Sequence, residues 1–532
     1  MKGLRRSLFL VLVLLLAISL VPACTGQQAD DGSSQGPEQE DPVTFVFGRG
    51  ADADRLDPAR TTNGESVKVI TNVFNGLVKF KPGSTEVEAD LATDWAVSDD
   101  GLEYTFTLRE DVKFHDGTPF NADAVMFTFE RQMDDTHPFH FDDMAYAGFT
   151  LEPVKEIVKT GDFEVKFVLH NEYAPFLRNL AMFSNYIVCP SAVEELGADY
   201  ANEPVGTGPF TFEEWVRDNS ITLKANADYF GGKPAIDTLV FRVIPENASR
   251  LAELESGTIH LMDGLSPNDI GRVEGNAQLN LISMPGLNIN YMAFPTDKEP
   301  FNDVRVRQAI SHAINKAEIV EFLFKGAGVV AEGPIPKTMM DYDVEGFDYN
   351  LDKAKALLAE AGYPDGFTTT IWCYPNPRAY NPIGAQLAEA VAGNLAEIGI
   401  TADIQTMEWT SYLAQSKSPE YFDGPFFLGW MGDNGDVDNF LYVLLSTDNI
   451  PGGNRSRYSN TEVDELLLEA QQTTDNAQRE ALYREAIELI VADAPWVFVS
   501  HTNDMVAMSK KVNGFVQSPL TLFFFENVTL GD

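Results

Sequence analysis

Two passages from helix to strand in the second half of the chain constrain its fold more than any other feature. Asn350 stands as an N-cap before an apolar-periodic run from Leu351 to Ala361, which stops at Gly362 with Pro364 two residues on. Leu387, Val391, Leu395 and Ile398 recur at helical spacing, Gly399 closes the run, and 401–407 follows with strand character. Helix, glycine stop and strand in this order predict an α/β lobe with a substantially parallel sheet. Further helices are expected through 463–470 and 476–491, and after Asp303, where Val306, Ile310 and Ile314 share one face.

The first half reads differently. Residues 43–47 are almost continuously apolar and are expected to form a buried strand that stops at Gly48. Tyr104, Phe106 and Leu108 alternate with Thr105, Thr107 and Arg109, the period of a half-buried strand. Turn chemistry over 114–119 leads to a helix capped by Asn121 or Asp123, and strand-like runs recur at 165–169, 221–224 and 238–244. A chain of 532 residues exceeds what one core supports, so two or three lobes are expected.

The amino terminus speaks for export. Lys2, Arg5 and Arg6 precede an apolar run from Leu8 to Val21 that is short for a membrane span, and Pro22, Ala23 and Cys24 close it with small residues. Val21-Pro22-Ala23-Cys24 resembles a bacterial lipobox, which implies removal of residues 1–23 and a lipid on Cys24 that holds the protein to the cell membrane. Residues 24–42 are rich in Gly, Ser, Gln, Asp and Glu and are expected to be a flexible tether. Within it Gly32-Ser33-Ser34-Gln35-Gly36 matches a hydrolase elbow, but a tether supplies neither the strand nor the helix that the elbow needs.

Acidic residues number 80 against 38 basic ones, a formal charge of -42, which excludes a nucleic-acid partner because phosphate binding needs a basic stripe. Cys189 and Cys373 lie in apolar surroundings and are expected to be unpaired buried thiols. The chain has no H-E-x-x-H and no G-x-x-x-x-G-K-[ST] motif, and no nucleophile–base pair stands out. His137 and His140 have spacing that suits no metal pair, and His115 sits in a turn as a structural residue. No metal or cofactor is expected, and no enzymatic activity.

Three stretches together carry a family resemblance: Leu91 to Gly117 (LATDWAVSDDGLEYTFTLREDVKFHDG), Pro204 to Phe210 (PVGTGPF), and PFNDVRVRQAISHAINKAEIV from Pro300. They are similar in order and spacing to the peptide/nickel branch of the extracellular solute-binding proteins, family 5. The resemblance implies a two-lobed periplasmic-binding-protein-like fold of the type II, three-subdomain class, with a hinge between lobes. It implies a substrate-binding component of an ABC importer, delivering ligand to a permease driven by ATPases. On that frame 287–294 and 496–501 become crossings between lobes. Lobe 1 is then expected over 43–290, with an extra subdomain and a return at 499–532, and lobe 2 over 291–498.

Two further stretches resemble the dipeptide-binding members: Pro377-Arg378-Ala379-Tyr380-Asn381-Pro382, and Gly429 to Phe440, GWMGDNGDVDNF. By that similarity Arg378 holds a ligand carboxylate, Asp433 its α-ammonium group, and Tyr380 and Trp430 line the pocket. The chemistry is sound on its own terms: a guanidinium clamps a carboxylate, a carboxylate takes an ammonium, and gripping both ends sets ligand length. Met431 and Val437 depart from the Thr and Pro common in close relatives, and Ser446 and Ser459 stand where some relatives carry a disulfide. Asn434, Asp436 and Asp438 could equally hold calcium, but the later glycine and closing glutamate of a calcium loop are missing. The alternatives are a receptor for another solute (a nickel chelate, haem, a glutathione-like peptide or a longer oligopeptide), a secreted hydrolase, and a ligand-loaded receptor that signals instead of importing. A monomer is expected.

Overall fold

The computed structural model describes residues 42–531; the expected signal peptide and nearly all of the tether, with Cys24, lie outside them. Among the described residues no helix is long and apolar enough to cross a membrane.

A twelve-stranded mixed sheet organises these residues. On one side Thr44–Arg49 runs parallel to Thr238–Val243 and to Leu261–Asp263, with Ser220–Ala225 and Phe210–Val216 completing the edge. On the other side Thr368–Cys373 runs parallel to Thr401–Thr406 and touches Phe426–Met431. Between them lies Trp496–Ser509, a single fourteen-residue strand. Its first part pairs with Asn288–Ala293 and its last part with Leu279–Pro285. Residues 279–293 thus run antiparallel along nearly its whole length, and this two-stranded ribbon lies between the two sides of the sheet.

The parallel sheet predicted from the helix–glycine–strand passages is therefore only local. It holds where a helix joins two strands, as Gln386–Ala396 joins 368–373 to 401–406 with Gly399 at φ 82° as the stop. The ribbon is antiparallel because the chain crosses one way near 286 and back near 502. Gly48 does not end the first strand as expected; it lies inside Thr44–Arg49, where a Cβ would stand 2.5 Å from Ile259 Cδ1.

Other local expectations match. Tyr104, Phe106 and Leu108 are buried on Glu103–Leu108, in a separate four-stranded antiparallel sheet with Ala92–Val97, Val154–Gly161 and Glu164–Leu169. Asn121, not Asp123, caps Ala122–Met133, its Oδ1 accepting from the amides of Asp123 and Ala124. Cys189 and Cys373 are free and buried. The half-buried His115 bonds Gly208 O at 3.0 Å, and loss of water around its ring lowers its pKa to about 4.

The ribbon is laced by one amide. Asn288 is fully buried; its Nδ2 donates to Thr502 O (2.9 Å) and its Oδ1 accepts from the Thr502 amide (2.8 Å). The Gly286 amide also donates to Thr502 O (3.0 Å). Gly286 must be glycine here, since a Cβ would meet Asn288 Nδ2 at 2.3 Å and Thr502 O at 2.9 Å. Replacing Asn288 with Leu leaves the buried Thr502 amide without an acceptor. A loss of about 1–3 kcal/mol in urea unfolding is expected; an unchanged midpoint would show that the side chain does not hold the crossing.

Candidate functional site

A cavity of about 1350 Å³ opens between residues that flank the strands Val154–Gly161 and Glu164–Leu169 and the segment beyond Phe426–Met431. Tyr146, Glu152 and Tyr173 line one side; Trp430, Asp433 and Arg455 line the other. The volume exceeds the roughly 300–1,000 Å³ usual for small-molecule sites.

The acidic loop is built by side chains folding back on backbone. The Asp436 amide donates to Asn434 Oδ1 and the Asp438 amide to Asp436 Oδ1, both at 2.9 Å, so two successive Asx turns lead into the helix Asp438–Leu445. Gly435, at φ 65°, takes the left-handed turn between them. Asn439 Oδ1 accepts from Trp430 Nε1 at 2.8 Å and from the Asp433 amide at 3.2 Å, fixing indole and acid to one anchor. From across the cleft Asn179 Oδ1 accepts from Asn434 Nδ2 at 2.8 Å, and the Arg178 guanidinium donates to Gly435 O.

Three carboxyls of this loop meet three fates. Asp436 is bound bidentately by Arg479 at 2.7 and 2.8 Å; burial opposes its ionisation, but the guanidinium wins and holds its pKa below the usual range. No group of three or more metal-holding side chains is found among the described residues. Asp433 accepts only from Tyr146 Oη, at 3.2 Å, and forms no ion pair among the described residues; burial pushes its pKa up to about 6. Asp438 is fully buried with neither oxygen bonded, and burial followed by the neighbouring Asp436 charge pushes it to about 7.

Arg378 sits in a tight turn in which its amide and that of Asn381 each donate to the other's carbonyl at 2.9 Å. Its guanidinium carbon lies 3.7 Å from the Trp409 ring centre, and it has no carboxylate partner among the described residues. Thr502 Oγ1 donates to Ala379 O at 2.9 Å, tying this turn to the crossing strand. Tyr380 is buried, its ring so close to Gly429 that a Cβ there would stand 2.2 Å from Cδ2. Burial raises its pKa to about 12, against the pull of the Arg378 and Arg455 charges. Of the four residues anticipated, Trp430 and Asp433 line the cavity, while Arg378 and Tyr380 are not among the residues that line it. Sequence reasoning missed Tyr146 and Arg455. Tyr146 carries no local signal; Arg455 was traceable as a basic residue after Gly452-Gly453 in a strongly acidic chain.

Removing Arg479 leaves the buried Asp436 charge only the more distant Arg178, whose Nε lies 3.9 Å away. Arg479→Met should cost about 3–5 kcal/mol in urea unfolding, and Arg479→Lys less; an equal cost for both would argue that stem packing, not charge, holds the loop.

Comparison with known proteins places this geometry. Residues 86–452 match the model of the bacterial extracellular solute-binding proteins, family 5 (middle region). The chain is 38% identical to heme-binding protein A of Haemophilus influenzae, over 98% of both proteins. It is 36% identical to the dipeptide-binding protein of Escherichia coli, covering 98% of this chain and 97% of that one. Among solved structures, an ABC transporter-associated periplasmic binding protein from Helicobacter pylori, in complex with the peptide STSA, superposes with a TM-score of 0.81 at 36% identity. That match covers 92% of this chain and 98% of the other.

Proposed function

The chain belongs to the family 5 bacterial extracellular solute-binding proteins, and from that premise we propose that it captures short peptides, dipeptides among them, for an ABC importer. One observation carries the reading: Asp433 is a desolvated carboxyl on the wall of the cleft with no cation to neutralise it. A peptide α-ammonium group supplies that cation and the hydrogen bonds that the lone Tyr146 hydroxyl leaves unmade. Arg378, also without an acid partner, takes the carboxylate at the other end. Tyr380 sets the position of the Arg378 turn against Gly429, and Trp430 forms the wall beside Asp433.

The ribbon of 279–293 with 496–509 serves as the hinge, so the lobe boundary falls near 286 and near 502. Closure removes water from the cleft and strengthens both charge contacts. Loaded protein then docks on a permease worked by cytoplasmic ATPases, and the monomer stays at the membrane through a lipid on Cys24. A larger solute such as haem is the second reading, favoured by the cavity volume and by the haem-binding relative.

Calorimetry with Ala-Ala, its N-acetyl form and its C-terminal amide tests the two-ended grip. Both blocked forms should bind far more weakly, and Arg378→Ala should reproduce the loss seen with the amide, about 2–5 kcal/mol. Equal binding by all three overturns the grip, and tight haem binding without peptide binding favours the second reading.

Proton linkage gives an independent check. With its pKa raised to about 6, Asp433 binds a proton more tightly in the folded state, so its contribution to stability falls as pH rises from about 4 through about 6. The ammonium group needs the ionised form, so Ala-Ala affinity should increase about tenfold from pH 5 to pH 7. Asp433→Asn should bind weakly and lose this slope; a slope that persists would assign the proton to another group.

A further inference from the structure

The same cavity has a basic wall that a two-ended grip on a dipeptide leaves unused. Arg455 and Lys417 both line it. The Arg455 Nη1 donates to Ser416 Oγ at 3.0 Å and its Nε lies 3.3 Å from Gly452 O, while neither Arg455 nor Lys417 pairs with a carboxylate among the described residues. In a chain with 80 acids to 38 bases, Arg131 and the half-buried Arg479 each hold a carboxylate, whereas the buried Arg250 and Arg307 bond carbonyl oxygens; Arg455 and Lys417 differ from all four in lining the cavity. The two cations also work against each other: after burial, the Arg455 charge is the second influence lowering the Lys417 pKa.

Lys417 ends the helix Trp409–Lys417 and Arg455 bonds Ser416 beside it, whereas Arg378 meets the other end of that helix. Arg378 stacks on Trp409 at the helix start, whereas Arg455 bonds Ser416, seven residues later and about 10 Å further along the axis. One α-carboxylate does not span both positions, but a second carboxylate on the same ligand reaches the second. We propose that Arg455 and Lys417 form a second anion subsite, which takes an acidic side chain of the bound peptide and gives the protein a preference for peptides carrying Asp or Glu. The inference rests on the peptide reading. An anion between the two cations makes charge-assisted hydrogen bonds and relieves their repulsion.

Calorimetry with Ala-Glu and Ala-Gln, which differ in one side-chain charge, reads the subsite as a ratio of affinities. The wild-type protein should favour Ala-Glu about fivefold or more. Arg455→Met should bring the ratio close to one, and Arg455→Lys should keep part of it. A ratio near one in the wild type, or one unchanged in Arg455→Met, overturns the subsite while leaving the two-ended grip intact. If neither peptide binds, the peptide reading fails separately and glutarate becomes the probe. It, and not glutaramide, should then raise the thermal midpoint of the wild type and leave Arg455→Met unmoved; no response to glutarate overturns the subsite as well.

Discussion

Everything in this molecule hangs on the antiparallel ribbon between 279–293 and 496–509, and on the Asn288 amide that bonds both backbone groups of Thr502. The ribbon is shared by both sides of the twelve-stranded sheet, so neither side is complete without it. Backbone polar groups crossing a buried interface must be satisfied there, since water does not reach them. Asn288 does this on one side of the crossing and Gly286 allows the chains to approach closely enough for it. The Arg378 turn is tied to the same place through Thr502 and Ala379.

Uneven compensation of buried charge distinguishes the site from the scaffold. Asp436 has its arginine, and its loop is locked as a result. Asp433 has a single hydroxyl, and Arg378 an aromatic face, so each keeps an interaction in reserve for something outside the chain. Burying a carboxyl without a partner opposes folding, and a structure that does so on a cavity wall holds a binding group in place at the expense of stability. Asp438, with neither oxygen bonded, extends that pattern along the same wall.

Much of the local structure was legible in the residues. Asn121, Asp303 and Asn350 cap helices, Gly362 and Gly399 take left-handed conformations at helix ends, and the 103–108 alternation is buried as its period requires. These are effects within a few residues, where side-chain size and backbone dihedrals decide the outcome. Strand direction was less legible. The helix-joined strands are parallel as expected, but 288–293 and 426–431 pair antiparallel, and nothing within either segment encodes which partner it meets. Gly48 shows the same gap in reverse: a glycine that looks like a stop is a close-packing position set by Ile259, more than two hundred residues away.

By itself the sequence determined the class of the molecule and pointed to Trp430 and Asp433, which line the cavity, because caps, stops, alternation and a loop such as GWMGDNGDVDNF are written in neighbouring positions. Only the tertiary structure decided that Asp433 meets Tyr146, that Arg378 rests on Trp409, and that Arg455 lines the cavity. Those relations join residues up to 287 positions apart. They depend on how the lobes pack and on which charges packing leaves unpaired, and desolvation exists only once the chain has closed around a group.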